Sequence, residues 1–296
     1  MTRPYFILDV FTDSPLAGNP LAVVLDAEDL GNSAMQAIAK EFNLSETIFL
    51  TGRLGGKVPV RIFTPTAEIP FAGHPTIGAA VLICSLLKDG GEELRMLTLD
   101  EKVGPVHCQA LARSIGTGHA AFDIPDLPQQ SPIDVQPAGL ASLLSLSERD
   151  IGFESHVPSI FSSGFAFVFV PLSGLPALSA IRLDGGRWGE VLPEPMPRAL
   201  VAYTNGPDGS YRLRVFAPAL GVAEDPATGS AAAAFSGVLA RFASLPDGEH
   251  AVRLLQGYEM GRPSQLDLQL TITNGGVCAA RVGGSVVLVA AGTLRV

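Results

Sequence analysis

The chain has 296 residues, of which 47% are hydrophobic and 17% charged, and its formal net charge is −9. This composition is typical of a globular protein with a sizeable core and argues against a disordered chain. The acidic balance argues against a broad nucleic-acid surface, and no uninterrupted apolar window is long enough to predict a membrane span.

The start of the chain and the cysteines indicate the compartment. Pro4 and Asp9 interrupt the apolar start, so no secretory signal peptide is expected. The three cysteines are scattered without a CxxC pair, at Cys84, Cys108 and Cys278. We therefore expect free thiols in a cytoplasmic protein.

The first part of the chain alternates short apolar runs with helical patterns. Strands are predicted at 4–11, 20–25, 45–50 and 61–63. Residues 29–42 have helical spacing. A further helix, from Thr76 to about Leu87, carries no charge and must therefore be surrounded by protein on all sides.

The second part follows a proline-rich segment, 123–158, which contains one short predicted helix near 140–146. Strands are predicted at 165–170, 200–203, 211–216, 265–272, 277–282 and 285–289. A nearly uncharged helix is predicted from Gly229 to about Phe242. The chain is thus expected to be an α/β protein with two halves, residues 1–122 and 123–284.

Two segments have the pattern of one duplicated device. Residues 61–80 read RIFTPTAEIPFAGHPTIGAA, and residues 214–234 read RVFAPALGVAEDPATGSAAAA. Each has an Arg-apolar-Phe strand, a turn with an ionisable residue before proline, and an Ala- and Gly-rich helix. The repeat predicts two similar halves and a polar site where their helix starts converge.

The first turn offers His74 beside the predicted helix N-cap, with Pro75 suited to the first helical position. The second offers Asp225 as a cap or proton carrier, which the neighbouring Glu224 would affect by charge repulsion. Each residue has an equally simple structural explanation, as a capping side chain without a catalytic task.

Glu46 is a third candidate. It begins the segment SETIFL, whose neighbours are expected to be buried, and burial raises a carboxyl pKa toward the range of a general acid/base. The alternative is a glutamate that ends a loop and points to water. No set of His, Cys or acidic residues has metal-ligand spacing, so no metal is expected, and His156 is expected in a surface loop.

Several motifs together resemble the PhzF-like isomerase family of phenazine biosynthesis, which has the diaminopimelate-epimerase-like fold. The matching segments read VFTDSPLAGNPLAVV, SETIFL, RIFTPTAEIPFAGHPTIGAA, FSSGFAFVFVPL and EDPATGSAAAA. The resemblance implies two halves, each a barrel-like sheet around a central buried helix, with the active site in the cleft between them. It also implies a last strand, about 285–296, that returns to the first half, and a homodimer.

The resemblance implies that Glu46 moves the proton, assisted by His74 and Asp225, and that no cofactor is needed. The expected substrate-binding residues lie in the loops and helix starts of the matching segments: Asn19, Gly73, Thr76, Thr228, Gly229 and Ser230. The helix starts would bind a carboxylate or a developing negative charge through their free amides.

The sequence therefore predicts a cofactor-independent isomerase of a small carboxylated metabolite, acting by acid/base proton transfer at carbon, as for trans-2,3-dihydro-3-hydroxyanthranilate or a related compound. Two alternatives remain open. One is a cysteine-free epimerase with Glu46 and Asp225 on opposite faces of a carbon; a two-thiol racemase is disfavoured because no cysteine falls in a helix-start turn. The other is a non-catalytic small-molecule binding protein.

Overall fold

The computed structural model describes residues 2–88 and 92–296. The chain divides into two compact units that are not simple sequence halves. Unit 1 comprises Met1–Asp123, Arg262–Gln265 and Val282–Val296, and unit 2 comprises Ile124–Gly261 and Leu266–Arg281. Both units combine strands with a buried helix, which confirms the predicted α/β class.

Unit 1 has eight strands and two helices among the described residues of 1–123. Its elements are β1 (Thr2–Val10), β2 (Asn19–Val24), α1 (Asn32–Phe42), β3 (Glu46–Leu50), β4 (Lys57–Phe63), β5 (Glu68–Ile69), α2 (Gly73–Leu86), β6 (Glu93–Glu101), β7 (Gly104–Ser114) and β8 (Thr117–Asp123).

Unit 2, which is described in full, has three short helices and one long helix between its strands. Its elements are β9 (Gln129–Ser131), α3 (Pro137–Leu143), β10 (Ser159–Ser163), β11 (Phe165–Pro171), α4 (Leu175–Ala180), α5 (Trp188–Val191), β12 (Leu200–Asn205), β13 (Tyr211–Ala217), β14 (Val222–Asp225), α6 (Gly229–Phe242) and β15 (Gly248–Gln256). The last strands, β16 (Ser264–Thr273) and β17 (Gly276–Arg295), each contribute residues to both units. Single 3-10 turns occur at Glu148–Asp150, Gly185–Arg187, Pro207–Gly209, Pro218–Leu220 and Tyr258–Met260.

The two units repeat one order of strand directions. In unit 1, β2 and β3 are parallel, β3 is antiparallel to β4, β4 is antiparallel to β5, and β4 is parallel to β6. In unit 2 the same directions relate β11 to β12, β12 to β13, β13 to β14, and β13 to β15. The repeated sequence segments thus occupy matching places in two similar sets of paired strands, one in each unit.

The repeated arginine makes the same contacts in each copy. Arg61 Nε donates a hydrogen bond of 2.8 Å to Glu68, and its guanidinium lies 5.1 Å from the ring centre of Phe63. Arg214 Nε donates over 2.8 Å to Glu224 and lies 5.0 Å from the phenylalanine two residues on. In both units the arginine therefore fastens the long strand to the short strand that leads into the buried helix.

The uncharged α2 and the nearly uncharged α6 are buried, as predicted, apart from the exposed Arg241 in the last turn of α6. Every residue of α2 from Gly73 to Ser85 is buried, and the helix packs against β1, β2, β3, β6, β7 and β8. Helix α6 packs against β9, β10 and β11. Helix α2 begins at Gly73, earlier than predicted, because the first helical residues need no intrahelical acceptor and so accommodate Pro75. None of the helices in the described ranges is long and apolar enough to cross a membrane.

The prediction of separate strands at 277–282 and 285–289 is wrong, since β17 runs unbroken across Gly283 and Gly284. A Cβ atom on Gly284 would lie 2.4 Å from the ring of Phe11, and one on Gly283 would lie 2.9 Å from the Cβ of Ala121. These glycines therefore permit close packing within unit 1 and do not mark a turn.

Candidate active site

Strand β3 presents Glu46 toward helix α2. Phe49 packs with the residues of α1 in one apolar cluster, and side chains of a strand alternate between its two faces. Glu46 therefore shares the opposite face with Ile48, on the side where α2 packs against β3. Its side chain is 19% exposed, so the carboxyl lies at the edge of the buried region.

Glu46 and His74 are neighbours in unit 1. His74 Nε2 lies 3.4 Å from Glu46 Oε2, longer than an ordinary N–H···O hydrogen bond. Complete burial lowers the pKa of His74 to about 3, so the imidazole is uncharged and the two groups do not form an ion pair. A neutral imidazole can donate to a carboxylate or accept from a carboxylic acid, depending on its tautomer.

The N-terminus of α2 can also interact with a negative charge. Its N-cap is Ala72, which has no side chain that could cap the helix, and Gly73 and His74 are the first two helical residues. Their amides lack intrahelical acceptors, and the helix dipole makes this end electropositive. The arrangement brings the Glu46 carboxyl of β3 next to the neutral imidazole and the backbone donors of the first turn of α2.

The other two predicted residues of unit 1 are fully buried. Asn19 is the first residue of β2, opposite Val10 of β1. Thr76 has 0% exposure, and its Oγ1 lies 2.7 Å from the Ala72 carbonyl oxygen and 2.6 Å from Glu101 Oε1. Its hydroxyl is therefore committed to protein partners, and direct substrate binding by Thr76 stays a prediction.

In unit 2, Asp225 closes the turn before α6. Thr228 is the N-cap residue of α6, but its hydroxyl donates back to Asp225 Oδ2 over 2.5 Å. The structure corrects the prediction that Asp225 caps the helix, since Asp225 ends β14 three residues earlier. Gly229 and Ser230 follow as the first two helical residues, with no side chain capping their amides.

Gln256 stabilises this turn through hydrogen bonds to Asp225 and Thr228, and it belongs to none of the motifs found in the sequence. Its Nε2 donates to the Asp225 carbonyl over 2.7 Å and to Thr228 Oγ1 over 3.1 Å. Its Oε1 accepts from the Thr228 amide over 3.2 Å. Gln256 ends β15, a strand of mixed polar and apolar residues outside the turn segment, so the local sequence carries no signal that distinguishes it.

Glu224 has a partner that was not foreseen. Both of its carboxylate oxygens accept hydrogen bonds of 2.8 Å from Arg214. This bidentate pair offsets the charge of Glu224. The proposed repulsion between Glu224 and Asp225 is correspondingly weakened.

The prediction that His156 lies in a surface loop is wrong. Its side chain is buried, stacks on Phe153 with ring centres 4.4 Å apart, and lies 3.0 Å from the Tyr203 hydroxyl. Burial lowers the pKa of His156, which favours the neutral ring in this aromatic surrounding. The partner is distant in sequence, so the local pattern carried no sign of it.

The cysteines lie away from both helix starts. Cys84 is buried within α2, Cys108 is buried on β7, and Cys278 is exposed on β17. Among residues 2–88 and 92–296, no group of three His, Cys, Asp or Glu side chains is arranged to hold a metal ion.

Comparison with known proteins identifies the family to which the chain belongs. The family model PhzC-PhzF, phenazine biosynthesis-like protein, matches residues 8–292. An uncharacterized isomerase of Mesorhizobium japonicum is 42% identical over 99% of both chains. A trans-2,3-dihydro-3-hydroxyanthranilate isomerase of Pseudomonas aeruginosa is 36% identical over 95% of both chains.

The fold has a close counterpart among solved structures. A PhzF-family phenazine biosynthesis protein of Bacillus anthracis superposes with a TM-score of 0.88 over 100% of both chains, at 24% identity. That likeness establishes the architecture, while the family match and the relatives establish the class of protein. The chain is therefore an isomerase of the PhzC-PhzF, phenazine biosynthesis-like family.

Proposed function

We propose that this isomerase moves a proton between two carbons of a small unsaturated carboxylate, with Glu46 as the proton carrier. The observation that carries the proposal is the contact between Glu46 and an uncharged, fully buried His74 at the start of α2. A neutral imidazole 3.4 Å from a carboxyl can, after a small approach and depending on its tautomer, donate to the carboxylate or accept from the carboxylic acid, which suits a group that takes and returns one proton.

The proton transfer conserves all atoms of the substrate. The Glu46 carboxylate takes a proton from carbon, the C–H bond breaks, and its electron pair is delocalised toward the unsaturated group. The resulting carboxylic acid then returns the proton to another carbon, so the double bond migrates. The free amides of Gly73 and His74 stabilise the negative charge that develops in between.

We propose that the start of α6 in unit 2, just after the Asp225–Thr228 turn, supplies a second set of hydrogen-bond donors for the substrate. The amides at Gly229 and Ser230 have the character of an anion site. We assign to this turn the binding of substrate, with Asp225 tuning protonation. Trans-2,3-dihydro-3-hydroxyanthranilate, the compound in the name of the Pseudomonas aeruginosa relative, is the first substrate to test.

The test is turnover of this compound in D₂O by wild type and Glu46→Gln. We expect wild type to place deuterium at carbon with migration of the double bond. Loss of a general acid/base typically costs ~10²–10⁴-fold, so Glu46→Gln should be slower by that factor. Glu41→Gln removes an exposed carboxylate from the same unit and should retain the wild-type rate.

Each other outcome has a distinct meaning. Wild-type turnover by a folded Glu46→Gln variant would refute the assignment of the proton carrier. Deuterium at an inverted stereocentre, without migration of the double bond, would instead identify the epimerase alternative. Absence of label from this compound and from a panel of cyclic and amino carboxylates would favour the binding-protein alternative.

A further inference from the structure

Glu101, at the end of β6, is a buried carboxyl to which the proposed reaction assigns no task. Its side chain is 6% exposed, and one oxygen, Oε1, lies 2.6 Å from Thr76 Oγ1. The other oxygen, Oε2, is buried and has no hydrogen-bond partner within the described residues. Glutamate is almost never buried in this way unless it is paired, so its position needs an explanation.

No cation of the described chain neutralises Glu101. Its sequence neighbours Asp100 and Lys102 pair elsewhere, with Lys57 at 3.2 Å and Glu68 at 3.7 Å. The elements packed against β6 are β4, α2 and β7. Their titratable side chains are Lys57 and Arg61 on β4, His74 and Cys84 on α2, and His107, Cys108 and Arg113 on β7. The Lys and Arg side chains among them pair elsewhere, Lys57 with Asp100, Arg61 with Glu68 and Arg113 with Glu92. His74 is uncharged, and Cys108 is a buried thiol whose pKa is raised by burial and, once Glu101 and Asp123 are ionised, by their negative charges.

The hydrogen count at Thr76 indicates where a proton must lie. The hydroxyl has one hydrogen but two oxygen neighbours, the Ala72 carbonyl at 2.7 Å and Glu101 at 2.6 Å. A carbonyl oxygen can only accept, so Thr76 donates to Ala72 and the second contact requires a hydrogen from Glu101. Burial independently raises the pKa of Glu101 to about 8, which favours the protonated acid at neutral pH.

We propose that Glu101 is a positioning residue that acts as an uncharged hydrogen-bond donor to Thr76 and thereby fixes the first turn of α2. Thr76 in turn donates its hydroxyl hydrogen to the carbonyl oxygen of Ala72, the N-cap residue, and so holds that residue in place. That turn carries the amides of Gly73 and His74 and the imidazole beside Glu46. This inference rests on the proposed function, because only the proposed proton transfer by Glu46 gives the first turn of α2 a catalytic task.

The proposal has a direct consequence for pH dependence. When Glu101 loses its proton it can only accept, so Thr76 must turn its hydrogen toward the carboxylate and release the Ala72 carbonyl. The turn is then held less firmly. Activity should therefore fall as the pH rises through the pKa of Glu101, and the fall should depend on Glu101.

The experiment compares wild type with Glu101→Gln, whose amide group donates to Thr76 at every pH. Amide nitrogen and proton shifts of Gly73 and His74 are followed by NMR while the pH is raised through about 8. We expect these shifts to titrate in wild type and to stay constant in Glu101→Gln. Glu249→Gln, which removes an exposed carboxylate of unit 2, should titrate as wild type does.

Kinetics add the positioning readout. The fall of kcat at alkaline pH should be present in wild type and absent in Glu101→Gln. Removal of the hydroxyl in Thr76→Val should lower kcat by roughly 10- to 100-fold, and Thr76→Ser, which keeps the hydroxyl, should retain most of the wild-type kcat. An alkaline fall that persists unchanged in Glu101→Gln would overturn the proposal, as would wild-type amide shifts that do not titrate. Titrating shifts without turnover of any substrate would refute the proposed function and leave the role of Glu101 in the turn standing.

Discussion

At the scale of single residues, the polar groups around the two helix starts are held by side chains from distant strands. Gln256 satisfies both the amide and the hydroxyl of Thr228 and the carbonyl of Asp225. It is 1% exposed, so none of these bonds is shared with bulk water. A buried amide with this set of partners specifies one conformation of the turn.

We expect Gln256→Leu to loosen the 225–228 turn. The substitution leaves the Thr228 amide without its acceptor, which costs about 1–3 kcal/mol of unfolding free energy. Misplacement of the turn should lower kcat/KM by roughly 10- to 100-fold, and the Thr228 amide should exchange with solvent faster. Steady-state kinetics and hydrogen exchange measure the two effects.

The control for this substitution is Gln130→Leu on the exposed strand β9, which should leave both kcat/KM and exchange at Thr228 unchanged. Equal kcat/KM in Gln256→Leu and wild type would mean that the turn does not need the glutamine to bind substrate.

At the scale of elements, the buried helices depend on small residues where a strand crosses them closely. A Cβ atom on Gly237 of α6 would lie 2.5 Å from the ring of Phe161 and 2.8 Å from Pro128. On Gly78 of α2, it would lie 2.4 Å from Leu21. Glycine has a low helix propensity, but at these positions the absence of a Cβ atom allows each helix to pack closely against the neighbouring strands.

We expect Gly237→Ala to destabilise unit 2 although alanine is the better helix former. The propensity gain is ~1 kcal/mol, whereas overpacking against a rigid ring costs ~1–3 kcal/mol. Gly139→Ala in α3 is the matched control, because its new Cβ would make ordinary van der Waals contacts, with Val191 at 3.5 Å and Val135 at 3.9 Å. That variant should be up to ~1 kcal/mol more stable than wild type.

The measurement is urea unfolding followed by the fluorescence of Trp188, the single tryptophan, which lies in unit 2. A midpoint for Gly237→Ala at or above that of Gly139→Ala would show that the contact with Phe161 relaxes without cost. The close-approach explanation for glycine in these helices would then fail.

At the scale of the whole molecule, buried titratable groups make stability depend on pH. The pKa of His74 is lowered from its ordinary value of 6.5 to about 3. Between these two pH values His74 is protonated in the unfolded chain but not in the folded chain. Stability is therefore lost as pH falls below 6.5. His156, whose pKa is also lowered, acts in the same direction.

Glu101 has the opposite effect. Its pKa is raised from 4.5 to about 8, so between these values the folded chain keeps a proton that the unfolded chain has released. The contribution of Glu101 is present below 4.5 and is lost as pH rises to about 8. We expect Glu101→Gln to gain stability over wild type progressively across this interval.

Urea unfolding followed by circular dichroism at a series of pH values measures this difference. The two proteins should differ least near pH 4.5 and most at pH 8 and above, the limits that the two pKa values of Glu101 define. A difference that does not change with pH would mean that Glu101 titrates normally in the folded chain.

Local patterns in the sequence determined much of this protein. The duplicated segments, the uncharged helices and the candidate residues Glu46, His74 and Asp225 were all identified from neighbouring residues. Periodicity and turn chemistry are local properties, so they survive in a single sequence. The PhzC-PhzF family was recognisable for the same reason, since its motifs are short contiguous segments.

Only the tertiary structure decided which side chains support those motifs. Thr76 meets Glu101 25 residues later, Asp225 meets Gln256 31 residues later, and His156 meets Tyr203 47 residues later. Likewise, the sequence predicted two strands on either side of Gly283 and Gly284, whereas one strand passes close to the ring of Phe11 there. Burial and hydrogen-bond partners are created by strands that meet in space, so no spacing along the chain encodes them.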